Sequence, residues 1–125
     1  MIVLDTSALI DALTGAKTSA PRLLQKLSEG TIVAVPALVL YEWLRGPRTS
    51  TDLKNQETMF PSDGALPFTP EDAALSGKLY RSVRRARSRE VDIAIAAMAI
   101  RHKAELWTLN RADFADIPGL RLYVP

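Results

Sequence analysis

Cysteine is absent from this chain, and histidine occurs once, at His102. The first absence excludes a disulfide scaffold, thiol catalysis and cysteine-ligated zinc, and it fits a reducing cytoplasm, the compartment expected here. The second leaves no pair of imidazoles for acid–base work. His102 follows Arg101 late in a helical pattern, where a basic residue complements the helix dipole. Long apolar runs are missing too. None approaches the roughly 20 residues that span a bilayer. Met1 enters a strand-like run with no basic leader, so neither a membrane span nor a signal peptide is expected. Aromatic residues make up only 6% of the chain, and Trp43 and Trp107 both lie in apolar patterns that read as core. Repeats, linkers and low-complexity tracts are lacking. The 125 residues therefore read as one domain, 1–125, and at 47% hydrophobic they can bury a core without staples. A large net charge is lacking as well: +2 is too mild to mark a nucleic-acid binder. Its distribution says more, because Arg81, Arg84, Arg85, Arg87 and Arg89 crowd one segment while the acids lie mainly elsewhere.

What the chain does have is three carboxylates in awkward places. Asp5 ends the apolar run Met1-Ile2-Val3-Leu4, Glu42 sits inside Pro36-Ala37-Leu38-Val39-Leu40-Tyr41-Glu42-Trp43-Leu44, and Asp92 opens Val91-Asp92-Ile93-Ala94-Ile95-Ala96-Ala97. A buried carboxylate costs several kcal/mol unless it is paired or binds a metal. Three of them, scattered in sequence, suggest one shared site, and their mutual repulsion would call for a divalent cation.

The pattern around them places that site. Short apolar runs at Ile2–Leu4, Thr31–Val35, Glu105–Leu109 and Leu120–Val124 read as buried strands. Between them, helices are expected from Ala8 to Leu13, after Thr18-Ser19, from Pro36 to Arg45, from Thr69 through Val83 into the arginine cluster, and from about Glu90 to Lys103. Residues Arg48 to Met59 are polar and weakly helical, and Phe60 to Phe68, with two prolines and a glycine, is a loop. Alternating strands and helices predict an α/β fold with a central, mainly parallel sheet covered by helices. Ligands bind beyond the carboxyl ends of such strands. Asp5 and Asn110 follow two strands, and Glu42 and Asp92 would sit on helices near the same rim.

Oxygen donors without His or Cys suit Mg²⁺, with Mn²⁺ as the alternative, rather than zinc. Mg²⁺ commonly serves phosphate groups, so the chemistry indicated is phosphodiester hydrolysis, in-line attack leaving a 5′-phosphate and a 3′-hydroxyl. Thr6 and Ser7 are placed to assist at a helix start. Arg84, Arg85 and Arg87 are candidates for contacts to substrate phosphates.

These stretches resemble the motifs of the PIN-domain ribonucleases, specifically the VapC-type toxins of type II toxin–antitoxin pairs. Ile2 to Ile10 looks like the first motif, Tyr41 to Gly46 the second, Asp92 to Ala97 the third and Leu106 to Phe114 the fourth; Ile117 to Leu122 also fits. Each motif alone is weak, but five in order cover nearly the whole chain. The resemblance implies a PIN-like three-layer α/β/α sandwich with four to five strands. It implies metal binding by Asp5, Glu42 and Asp92. A further acid is frequent in the fourth motif, where this chain has Asn110, with Asp113 three residues on. Asn110 or Asp113 would complete the catalytic set. The resemblance also implies a structured RNA substrate (tRNA or rRNA), a homodimer, and a VapB-like antitoxin that blocks the site in a heterotetramer or larger assembly.

Other readings of the same residues stand beside it. Asp5 could cap the first helix, Glu42 could be a solvated partner of Arg45, and Asp92 could simply favour a helix N-terminus. A degenerate domain that binds RNA or protein without cutting would explain Asn110. A phosphatase with Asp5 as nucleophile lacks a close second acid, and a DNA nuclease would share the metal site. Asp11, Asp63 and Asp116 read as turn or surface residues.

Overall fold

The computed structural model describes residues 1–125. Four short strands, β1 (Ile2–Leu4), β2 (Val33–Ala34), β3 (Glu105–Trp107) and β4 (Arg121–Leu122), form one sheet in the order β2-β1-β3-β4. Every pairing is parallel: Ile2 lies opposite Val33 on one side and Glu105 on the other, Leu4 opposite Trp107, and Glu105 opposite Arg121. β1 is buried along its whole length, as a central strand under helices must be. Six helices connect and cover the sheet: α1 (Thr6–Leu13), α2 (Ala20–Ser28), α3 (Ala37–Arg45), α4 (Ser50–Met59), α5 (Pro70–Ser82) and α6 (Glu90–Arg101). The α/β/α arrangement expected from the sequence is the one found.

Local chemistry explains the helix boundaries. α4 and α5 each begin with a reciprocal capping box, Thr49 with Asp52 and Thr69 with Asp72, and α5 adds Pro70 in its first turn. α6 is the most deeply packed helix. Its Ile93, Ile95, Ala96, Ala97, Met98 and Ala99 are all buried, and the small alanines let α5 and β3 approach closely. The tryptophans are core, as expected: both are at most 1% exposed, and Trp107 stacks on Tyr123 with ring centroids 4.8 Å apart. The most deeply buried charge is on α5. Asp72 is fully enclosed, accepts 2.8 Å from the Thr69 amide and pairs with Arg101 Nε at 2.6 Å. Burial alone would raise its pKa; the Thr69 amide and the Arg101 guanidinium outweigh that and hold it below the usual aspartate value.

Several boundaries differ from the sequence expectation. β2, β3 and β4 are shorter than their apolar runs. Beyond β2 the backbone turns to a loop, with Leu66 N donating to Val35 O (2.9 Å) and Ala37 N to Leu66 O (2.8 Å). Pro36 is the N-cap of α3 rather than its first helical residue. α5 ends at Ser82 and does not run into the arginine cluster. Val83 is extended, Arg85 adopts φ +53, and Ala86–Ser88 forms a 3-10 turn. Beyond the break the Arg84 carbonyl accepts from the Arg89 side chain at 2.8 Å rather than from a helical amide.

The strand order fixes where a ligand could bind. From β1 the chain goes outward to β2 on one side, then returns across β1 to β3 on the other. With right-handed crossovers the helices of the two halves lie on opposite faces, so the switch point, where such sheets bind ligands, falls between the carboxyl ends of β1 and β3. Asp5 directly follows β1, and Thr108 directly follows β3.

Candidate active site

Asp5 occupies the N-cap position of α1, yet its side chain makes no capping bond. It turns toward the residue that follows β3 and is only 4% exposed. Its Oδ2 accepts from Thr108 Oγ1 at 2.8 Å and from Ser7 Oγ at 3.1 Å. Ser7 Oγ in turn lies 3.2 Å from Thr108 Oγ1 and accepts from the Leu109 amide at 2.9 Å. Asp5 is therefore oriented by two hydroxyls, one from each side of the switch point. Thr108 is the member of this network that the sequence reading did not single out. The available signal was its place: a hydroxyl immediately beyond a buried strand, paired in register with the strand that delivers Asp5.

Glu42 lies on the face of α3 turned toward α1. Thr6 Oγ1 donates to its Oε1 at 2.5 Å, and Arg45 Nη2 meets Oε2 at 3.3 Å. The pair with Arg45 is real, but the two residues are not equivalent: the Glu42 side chain is 15% exposed and Arg45 is 55% exposed. Thr6 and Ser7 thus hold Glu42 and Asp5 respectively, each using its hydroxyl.

Asp92, in the first turn of α6, accepts no side-chain hydrogen bond. Its pKa is pushed up to about 6, first by burial, then by the negative charges of Asp5, Glu42 and Asp113, with Arg89 opposing. Asp5, Glu42 and Asp113, distant from it in sequence, therefore act on Asp92 through space. Asp113 sits exposed on the 3-10 turn Arg111–Asp113. Asn110 precedes that turn, exposed, with its amide bonded to Thr108 Oγ1 at 3.0 Å. Of the two candidates for the fourth corner, Asp113 is the one whose charge reaches Asp92.

The acids share a field without forming a closed cage: no three Asp, Glu or His side chains converge tightly enough to enclose an ion. All of the donors here are hard oxygens, and the crowding of negative charge on Asp92 is what a cation would relieve. This donor set fits a cation such as Mg²⁺ that retains several of its waters.

Two adjoining hollows flank the acids. One, of about 260 Å³, is lined by Glu42, Asp92, Arg45, Ser88 and Arg89. The other, of about 360 Å³, is lined by Arg84, Arg85, Arg89, Asp113 and Asp116. Arg89 belongs to both, and Arg87 to neither. Asp116, expected to be a plain surface residue, binds Arg89 through both oxygens, at 2.6 and 3.0 Å. A third hollow, of about 320 Å³ beside β2, is lined by apolar residues such as Ile32, Met59, Phe60 and Leu66 and by no charged side chain, so the chemistry is not there.

The PIN domain family profile matches residues 2–120, and the chain belongs to that family. Within it, the chain is homologous to VapC-type toxins. Ribonuclease VapC19 of Mycobacterium tuberculosis is 34% identical over 124 residues, spanning 97% of this chain and 98% of its own. Solved structures share the fold. DNA-bound VapBC from Salmonella typhimurium gives a TM-score of 0.77 at 22% identity, over 98% of this chain and 96% of that one. VapBC2 from Rickettsia felis, bound to a DNA fragment from its promoter, gives 0.74 at 21% identity, over 98% of both chains.

Proposed function

We propose that this protein is a Mg²⁺-dependent endoribonuclease, the toxin of a toxin–antitoxin pair. The observation that carries the reading is the electrostatic convergence of Asp5, Glu42 and Asp113 on the half-buried carboxylate of Asp92, at the switch point of a PIN-domain sheet. Such crowding costs stability in the metal-free protein, and a bound cation would reverse that cost. Asp5, Glu42 and Asp92 would hold the ion, with Asp113 at the rim. When bound, it supplies positive charge for phosphate oxygens and a water of lowered pKa.

The chain's own residues account for the rest. The Thr108 and Ser7 hydroxyls orient Asp5, and the Thr6 hydroxyl orients Glu42. These contacts fix two carboxylates before substrate arrives, so little reorganisation is left for the reaction. The relative named Ribonuclease VapC19 supports RNA as the substrate, with structured RNA such as tRNA or rRNA the expected class. The toxin–antitoxin complexes among the similar structures support a VapB-like antitoxin as partner. A homodimer within a larger complex is the assembly we expect.

The test is cleavage of bulk RNA by purified protein, with Mg²⁺ and with chelator. Asp5→Asn and Asp92→Asn should each abolish cleavage while circular dichroism shows a folded domain. Retained metal-dependent cleavage in both variants would sink the site assignment. A PIN fold that binds RNA or protein without cutting is the second reading, favoured by Asn110 at the fourth corner and by the open spacing of the acids. It requires that the wild type bind RNA or a protein partner and leave RNA intact in Mg²⁺.

A further inference from the structure

The segment between α5 and α6 carries four arginines in six residues, Arg84 to Arg89, and the structure divides them by role. Both terminal nitrogens of Arg89 are engaged inside the protein. Its Nη1 donates to Arg84 O (2.8 Å) and Asp116 Oδ2 (3.0 Å), and its Nη2 to Asp113 O (2.7 Å) and Asp116 Oδ1 (2.6 Å). Its Nε is buried without a partner. No N–H of this guanidinium faces outward for a ligand. Arg84 and Arg85 are the reverse case: both are exposed, neither forms an ion pair, and both line the hollow that Asp113 shares with the acidic site.

Arg85 is also held at φ +53, a left-handed conformation that is uncommon for a residue with a Cβ. Such a conformation persists only where its surroundings over-determine it. Here the Arg89 fork does so, tying the Arg84 carbonyl on one side to the Asp113–Asp116 loop on the other. The result is a rigid turn that presents two uncompensated guanidiniums beside a cluster of carboxylates. An RNA strand approaching that cluster meets net repulsion, and arginines on the adjoining wall are the groups that can offset it.

We propose that Arg84 and Arg85 form a phosphate-binding bay for the RNA backbone next to the scissile position, and that Arg89 is the positioning residue that builds the bay. The proposal rests on the ribonuclease reading above. It assigns Arg89 no contact with RNA: it acts through the turn. Arg87, which lines neither hollow, is not part of the bay.

Binding of labelled bulk tRNA, measured by fluorescence anisotropy in chelator across a salt series, separates these roles from catalysis. Arg84→Ala/Arg85→Ala should weaken binding and flatten the slope of log K against log salt by roughly 1.5, the loss of two phosphate contacts. In Mg²⁺ the same variant should raise KM by more than it lowers kcat. Arg89→Lys keeps the charge but loses the fork. Its binding defect should be present in the wild-type background and vanish in the Arg84→Ala/Arg85→Ala background, as expected for a residue acting through those two. Asp116→Asn opens the fork from the other side and should behave as Arg89→Lys does. An unchanged affinity and salt slope in Arg84→Ala/Arg85→Ala overturns the bay. An Arg89→Lys defect that adds in full to the double variant overturns the positioning role. Wild-type protein that binds tRNA but cuts no bulk RNA overturns the nuclease reading while the bay is still decided by the binding data; wild-type protein that binds no tRNA overturns the bay.

Discussion

Replacing Asp92 with Asn should make the metal-free protein more stable at neutral pH even as it destroys the site. The carboxyl of Asp92 titrates near 6 in the folded chain against 3.8 for an ordinary aspartate, through burial first and then through Asp5, Glu42 and Asp113. A folded pKa above the unfolded one means that the folded state binds the proton more tightly, so ionisation of this group opposes folding. The penalty is absent below the ordinary aspartate pKa, grows as pH rises from about 4 to 6, and is complete above that. Two units at 1.36 kcal/mol each give about 3 kcal/mol, and solvent access to this half-open position reduces it to about 1–2 kcal/mol. For a chain of this size that corresponds to a rise of roughly 4–8 °C in Tm. The assay is thermal unfolding in chelator from pH 5 to pH 7.5, wild type against Asp92→Asn. The wild type should lose stability across that range, the variant should lose much less, and Mg²⁺ should stabilise the wild type at pH 7 and the variant little. An Asp92→Asn protein no more stable than wild type at pH 7 in chelator would refute the crowding argument.

Other substitutions test other parts. Thr108→Val removes the hydroxyl that donates to Asp5 and accepts the Asn110 amide, and should lower RNA cleavage by about 10–100-fold without unfolding the domain; cleavage at the wild-type rate would show that Asp5 needs no such partner. Asp72→Ala leaves Arg101 unpaired and removes the α5 cap, which should cost about 3 kcal/mol or more in urea unfolding, and a loss below 1 kcal/mol would mean the pair is dispensable. Because the Asp72 pKa is lowered, its contribution is present above the ordinary aspartate value and fades as pH falls through the depressed one. Asp72→Asn should therefore flatten the acid limb of the stability profile.

Much of the site was legible because its carboxylates break apolar patterns. Asp5 after β1, Glu42 within α3 and Asp92 at the start of α6 stand out against their neighbours. The fold followed from the alternation of short apolar runs with capped helices. Strand ends were not legible, since apolar runs at β2 and β4 continue past the ladder and only pairing decides where it stops. The end of α5 was not legible either, since the pattern of Leu75, Leu79, Tyr80 and Val83 runs on into the arginine segment without a stop signal. The turn that replaces the expected helix is braced by a side chain, Arg89, which holds the Arg84 carbonyl, and the other anchor of that side chain, Asp116, lies 27 residues away.

The sequence by itself determined the fold class, the family motifs and the three acids, because those depend on local pattern and on the cost of burying charge. Only the tertiary structure decided how the acids are held and how the two candidates for the fourth corner are placed. Thr108 reaches Asp5 across 103 positions of sequence, and Asp113 acts on Asp92 while Asn110 gives its amide to Thr108. Hydrogen bonds and Coulomb forces act over ångströms, and distance in space between residues far apart in sequence exists only once β1 and β3 pair and α6 packs against them.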